Sequence, residues 1–377
     1  MAVFSCGTAR ERVVVRAGKR SMASEIKTSR GTRRALLGVG LAAFCGVVSR
    51  ADESDQSALE ARIDAAVRLG LKWLASEQQA SGAWTTKDYG ESTATTSLAM
   101  MALMAGGHVP GEGPYGRLLS RGLAWLLSQQ QENGLLVGRE SGHGPMYSHG
   151  IATLMLAEIC GMSEGAQADQ CRQSLQKAVR LIVDAQNHRK PPEHDGGWRY
   201  QPTSSDSDLS VSAWQLLALR AARDIGCDVP AENIDRAVAY LKRLHVKHDG
   251  GFGYMVGHGS SITRAGTGIA ALEICGEHRT RETLAAAGLI LSRPLVRSEH
   301  YFYYGAYYCT IGMYKVGGAE WRQSRQVLYQ TILDLQNPEG FWTPEDGTER
   351  QAGRVYATSL AVLALAIEYG YLPIYQR

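Results

Sequence analysis

Two aspartates, Asp206 and Asp208, stand just before an apolar segment that opens at Leu209. Like charges that close, together with burial, raise a carboxyl pKa and can keep an acid protonated near neutral pH. Such a carboxyl is a Brønsted acid, while the simpler reading is an Asp that caps the helix beginning at Leu209. Downstream, Tyr301, Phe302, Tyr303, Tyr304, Tyr307 and Tyr308 form a dense ring cluster in a chain only 8% aromatic. Ring faces attract a cation by about 0.5–2 kcal/mol each, which suits a carbocation, and core packing explains the cluster equally well. Helical spacing puts Tyr301, Tyr304 and Tyr308 on one face and Tyr303 and Tyr307 on another. His149, Trp214, Tyr147, Thr95 and Arg264 fall near the starts of other apolar segments and complete the candidate set. Gly257-His-Gly-Ser-Ser261, followed by Arg264, can offer backbone N–H groups and a guanidinium to a phosphate. Glu91 could pair with Asp206 or Asp208 as the two carboxylates that glycoside hydrolysis requires, with His149 assisting.

These residues are distant in sequence, so the fold must bring them together. A degenerate repeat provides the means. Its best copies are Gly70-Leu-Lys-Trp-Leu-Ala-Ser-Glu-Gln-Gln-Ala-Ser-Gly82 and Gly122-Leu-Ala-Trp-Leu-Leu-Ser-Gln-Gln-Gln-Glu-Asn-Gly134. Gln186 with Gly196 and Trp198, Tyr240 with Gly250 and Phe252, and Gln336 with Gly340 and Trp342 are further copies. Between them run apolar stretches: 92–107, 147–161, 209–226, 261–276, 301–317 and 355–370. Each is apolar nearly all round, opens on small or polar residues and closes on glycine, as a buried, capped helix does. The signature segments are more amphipathic, and a short outer helix, 281–291, ended by Pro294, fills the one long gap. Six buried helices alternating with six amphipathic ones predict an all-α fold, a single α/α toroid or (α/α)6 barrel. The inner N-termini then converge at one mouth. The repeat's Gln is expected to bond orphan backbone groups of the next helix, its Gly to allow a tight turn, and its Trp to pack across neighbouring units.

Residues 1–51 read as an export signal. Arg33-Arg34 precede an apolar run to Val48 and then Ser49-Arg50-Ala51, a twin-arginine pattern, with Met22 a plausible start. That leader carries 10 of the 40 basic and 2 of the 37 acidic residues, so residues 52–377, the toroid, carry a net charge of −5. A mildly acidic body with no basic stripe excludes nucleic acid as a partner. The apolar run is too short to span a bilayer, so no integral membrane protein is expected after processing, and the protein is expected to be periplasmic or otherwise extracytoplasmic. Five cysteines remain, an odd number that gives no disulfide framework.

The repeat, Tyr147-Ser-His-Gly150, Gly196-Gly-Trp-Arg-Tyr200 and Tyr369-Gly-Tyr-Leu-Pro-Ile-Tyr375 resemble squalene and hopene cyclases, protein prenyltransferase β subunits and, most closely, exported bacterial prenyltransferase/squalene oxidase repeat proteins. The resemblance covers about residues 55–375 and implies a terpene-cyclase-like or prenyltransferase-like toroid that takes an apolar, isoprenoid ligand. It assigns Asp208 as the acid and Asp206 as the residue that tunes it, with His149 beside them. Trp214, Tyr147, Tyr301, Tyr304, Tyr308 and Arg264 would shape the pocket. This chain lacks the third acid of the cyclase Asp-x-Asp-Asp motif and has one barrel where triterpene cyclases have two. It also lacks the Asp-x-Cys of the prenyltransferase zinc site, so neither metal nor cofactor is expected. Cys275-Gly-Glu-His278 is no thioester motif, because the required Gln is His. The alternatives are a non-catalytic scaffold, with a protein partner, and an (α/α)6 glycosidase or polysaccharide lyase.

Overall fold

The computed structural model describes residues 42–138, 144–163 and 165–376, with side chains from residue 55. The expected leader therefore lies mostly outside the described residues. The chain divides into two compact units, Met1–Asp52 and Glu53–Arg377, and the six hairpins belong to the second.

The outer helices are α1 (Ala42–Ser76), α3 (Gly116–Ser128), α5 (Gly165–Asn187), α7 (Ala231–Arg243), α9 (Arg281–Ser292) and α11 (Gly318–Leu333). The inner helices are α2 (Thr93–Ala105), α4 (Pro145–Cys160), α6 (Leu209–Asp224), α8 (Ile262–Ile274), α10 (Phe302–Val316) and α13 (Arg354–Leu365). A short helix, α12 (Gly347–Ala352), interrupts the last connection. Each inner helix packs on the next, and α13 returns to α2, so the ring closes. The outer ring closes where Arg62 of α1 donates to Gln330 (2.8 Å) and pairs with Asp334 next to α11 (3.3 Å). The α/α toroid is thus observed. Two hairpins of two-residue strands, β1 (Thr85–Thr86) with β2 (Gly90–Glu91) and β3 (Phe252–Gly253) with β4 (Ser260–Ser261), add local turns to it.

The repeat residues act as fasteners. Gln78 Nε2 donates to the carbonyls of Gly82 and Leu118, and Gln130 to those of Gly134 and Ser174. Gln186 likewise serves Gly196 and Asn233, and Gln336 serves Gly340 and Ala66. Each Gln ties its own turn to the flank of the next outer helix, rather than to the orphan groups at a helix end. Gly134 adopts φ 93°, and a Cβ there would lie 2.5 Å from the Lys177 carbonyl, so side-chain-free backbone must pass at that point. Trp84, Trp198 and Trp342 are buried, and each indole N–H donates to a carbonyl of its own outer helix, Leu74, Ile182 and Ile332. The rings of Trp84 and Trp342 lie against Gly122 and Gly70, where a Cβ would meet them at 3.3 and 3.2 Å. Closer still are Met100 Sδ, 2.9 Å from a Cβ at Gly122, and Val362 Cγ2, 2.7 Å from one at Gly70, so inner-helix side chains and the indoles together leave room only for glycine at the start of the two clearest signatures.

Candidate functional site

The inner N-termini converge on a cavity of about 570 Å3, within the range of small-molecule sites, about 300–1,000 Å3. Its wall is aromatic: Tyr147 of α4, Trp214 of α6, Tyr301 and Tyr304 at α10, Tyr356 of α13, and Tyr200 and Tyr254 from the connecting loops. Serine and threonine residues from the helix starts, Thr95, Ser148, Ser210 and Thr263 among them, line it as well. Arg264 also lines it, but its guanidinium is committed to carbonyls of Phe252 (3.4 Å) and Gly259 (3.0 Å).

The expected aromatic residues therefore meet at one space, except Tyr308. Tyr308 is buried behind the wall, its ring 4.6 Å from Tyr304 and 5.3 Å from Trp214. The expected division of the tyrosines by helical face does not hold in full. Tyr307 stacks on Trp214 at 5.9 Å with the planes 7° apart, so it belongs to the barrel's floor. Tyr301 precedes the helix in a left-handed conformation, φ 57°.

Asp208 does cap α6, accepting from Val211 N–H at 2.9 Å, and it is fully buried as well. Burial pushes its pKa up, against the opposing pull of the Ser210 hydroxyl, the Val211 N–H and Arg199. The cap uses only Oδ1. Oδ2 has no hydrogen-bond partner and lies 3.6 Å from Arg199 Nε. Asp208 is not on the cavity wall. The Ser210 hydroxyl donates to Asp208 Oδ1 (2.6 Å) and is itself hydrogen-bonded to the Tyr147 hydroxyl, and both of those residues line the cavity. Asp206 is half-buried outside the wall, where it shares Arg199 with Asp208 at 3.6 Å. That guanidinium lies over the Tyr200 and Tyr254 rings at 4.4 and 5.4 Å.

His149 is a correction. It is fully buried off the cavity wall, with Nδ1 accepting from Leu136 N–H (3.1 Å) and Nε2 donating to the Ala178 carbonyl (3.1 Å). Thr96, Ser212 and Thr358 hold the equivalent N–H of Trp84, Trp198 and Trp342 in other units. Burial lowers the His149 pKa to about 4, so the ring stays neutral and serves as a fastener. Glu91 is exposed and bonded to Ser81 (2.5 Å), outside the cavity wall, so it forms no lumen pair with Asp206 or Asp208.

Two carboxyls that do line the cavity, the part-buried Glu299 and the buried Glu349, escaped sequence reasoning. Glu349 of α12 is 2% exposed and caps α10, accepting from Tyr303 N–H (3.2 Å) and Tyr304 N–H (3.0 Å). Burial raises its pKa to about 7 against those two N–H groups. Asp346-Gly-Thr-Glu349 has the spacing of a capping box, but Glu349 reaches the start of α10 instead of its own N-cap, so that spacing did not signal its place. Tyr200 and Tyr254 were legible, since each stands two residues past a signature aromatic, as does the wall residue Thr86. Among the described residues no group of three or more His, Cys, Asp or Glu side chains is arranged to hold a metal.

The family model for the prenyltransferase alpha-alpha toroid domain matches residues 123–295 and 284–374. The chain belongs to this family. No match is found among curated proteins. Among solved structures, an alpha-1,6-mannanase from Salegentibacter sp. is similar, with TM-score 0.61 and 10% identity, over 81% of this chain and 99% of that one. The type II terpene cyclase MstE from Scytonema, in a variant complexed with geranylgeranyl dihydroxybenzoate, matches with TM-score 0.55 and 15% identity, over 84% and 99%. A glycosidase variant in complex with glucose matches with TM-score 0.56 and 13% identity, over 83% and 98%. At such identities the likeness concerns the fold alone. No helix of the described residues is long and apolar enough to cross a membrane.

Proposed function

We propose that this family member receives an apolar, isoprenoid-type ligand in its lumen and can act on it as a Brønsted acid. The observation that carries the reading is an aromatic-walled cavity of about 570 Å3 with a buried carboxyl on its wall, Glu349, raised to about pH 7, and a second, Asp208, behind it. Aromatic faces suit both the apolar body of such a ligand and a cation formed on it. Twin-arginine export by residues 1–51 belongs to the same proposal, and a cell-fractionation assay of the Arg33→Lys, Arg34→Lys double variant tests it.

A sugar ligand is the second reading. The hydroxyl-bearing lining residues Thr95, Ser148, Ser210 and Thr263 favour it, as does the similarity in fold to the mannanase. Titrating the protein with geranylgeraniol and with alpha-1,6-mannotriose, read by tryptophan fluorescence, separates the two. The isoprenoid reading expects saturable micromolar binding of the alcohol that Trp214→Ala weakens at least about tenfold, by the loss of one anchoring ring. Saturable binding of mannotriose alone would transfer the site to the sugar reading.

A further inference from the structure

Asp208 has no direct access to the lumen, yet the route from it is continuous. Its Oδ1 is 2.6 Å from Ser210 Oγ, Ser210 Oγ is hydrogen-bonded to the Tyr147 hydroxyl, and Tyr147 lines the lumen. All three oxygens belong to groups that can both give and take a hydrogen bond once the carboxyl carries a proton. We propose that Tyr147, Ser210 and Asp208 form a proton wire, through which the sealed carboxyl exchanges protons with a ligand in the lumen. This assignment rests on the acid reading of the lumen given above.

The direction of the wire depends on the charge of Asp208. With the carboxylate ionised, Ser210 O–H donates to Oδ1, Tyr147 O–H donates to Ser210, and the lumen sees a phenol oxygen with its lone pairs. With Asp208 protonated, the carboxyl O–H donates to Ser210, Ser210 donates to Tyr147, and the Tyr147 O–H turns to the lumen. Protonation of a trisubstituted alkene then balances as follows. The Tyr147 O–H bond breaks and the alkene π pair forms a C–H bond, leaving a tertiary cation. In the same movement a proton passes from Ser210 to Tyr147 and another from Asp208 to Ser210, so the wire ends as an Asp208 carboxylate. Free phenolate never forms, which matters because burial and the Asp208 charge hold the Tyr147 pKa well above its usual value. Loss of a proton from a neighbouring methyl regenerates the alkene and returns the proton along the wire. On this route Tyr147 is the catalytic residue, and Ser210 and Asp208 act through it.

The groups that set the titration of Asp208 come from every side. Arg199 lies 3.6 Å from Oδ2, Asp206 sits across that guanidinium, and Tyr147, Tyr240, Tyr254 and Tyr304 face the carboxyl from α4, α7, the loop before α8, and α10.

The test is deuterium exchange. The full chain is incubated in D2O with micellar geranylgeraniol, and deuterium at the terminal methyl groups is read by mass spectrometry and NMR, while co-purified alcohol in the same samples reports binding. The wild type is expected to incorporate deuterium at a rate that falls as Asp208 ionises. Ser210→Ala and Tyr147→Phe are expected to lower the rate at least about 100-fold, the lower range of a general acid's contribution, and to lose that pH dependence. Ser210→Thr, which keeps the hydroxyl, is expected to restore both. Circular dichroism confirms that each variant folds. Exchange by Ser210→Ala and Tyr147→Phe at the wild-type rate and with the wild-type pH profile overturns the wire. Binding without any wild-type exchange overturns it as well. Absence of binding instead removes the isoprenoid reading on which the wire depends.

Discussion

Near the C-terminal end of inner helix α4, Glu158 is a buried carboxyl against the C-terminal tail. Glu158 is 2% exposed, its Oε2 accepts from Ile374 N–H at 3.3 Å, and Lys315 Nζ donates to the Gln376 carbonyl at 2.6 Å. Burial pushes the Glu158 pKa from 4.5 to about 8, against the single N–H and the Lys315 charge that favour the ionised form. Below pH 4.5 the carboxyl is protonated both folded and unfolded and costs nothing. Between 4.5 and about 8 the unfolded chain releases the proton while the folded chain retains it, so stability falls as pH rises. At 1.36 kcal/mol per pH unit the full loss is about 5 kcal/mol, complete above about pH 8. Glu158→Gln keeps an acceptor for Ile374 N–H and removes the titration. Guanidinium denaturation at pH 5, 7 and 9 should show the variant gaining on the wild type with rising pH, by about 3–5 kcal/mol at pH 9. Two curves that stay parallel across that range would refute the assignment of a neutral, buried Glu158.

Other outcomes follow from the same geometry. His149 has a folded pKa of about 4 against 6.5, so its contribution is complete above 6.5 and disappears as pH falls through 4, by about 3 kcal/mol. His149→Gln can make both hydrogen bonds without titrating, and acid denaturation should show it flatter than wild type in that window. Gly134→Ala and Gly226→Ala both place alanine at positive φ, 93° and 87°, but only the first meets a backbone carbonyl, with nothing within 4 Å of the second. Thermal melts should show the Gly226 variant losing about 1–2 kcal/mol from backbone strain and the Gly134 variant losing at least about 2 kcal/mol more. Gln186→Leu leaves the Gly196 and Asn233 carbonyls and the Asn233 amide without their partner, at about 1–3 kcal/mol for each group that stays dry. Denaturant titration should therefore place it among the least stable single variants of the outer ring.

The toroid was legible because its repeats are redundant. Trp84, Trp198 and Trp342 make the same indole bond, and Gln78, Gln130, Gln186 and Gln336 the same double clamp, so a degenerate signature still fixes the architecture. The fourth unit carries His245 in the Gln position, bridged to Phe252, and closes its turn around Gly250 all the same. The aromatic wall was legible from the starts of the inner helices, which placed Tyr147, Trp214, Tyr301 and Tyr304 together. The carboxyls were harder. His149 stands at an inner-helix start like Thr96 and Ser212, and its residue type alone does not reveal that both nitrogens are consumed by backbone. Glu349 sits on a six-residue helix with no periodic pattern, and its partners are N–H groups 45 and 46 positions away in sequence. Local spacing carries no record of so distant a contact.

An apolar isoprenoid held in the lumen, as proposed above, should survive purification, and mass spectrometry of solvent extracts from the protein purified out of its native or a related host detects it. The expected result is an isoprenoid present in stoichiometric amount and depleted in the Trp214→Ala protein. An empty wild-type lumen that takes up neither squalene nor polyprenol when these are supplied would contradict it.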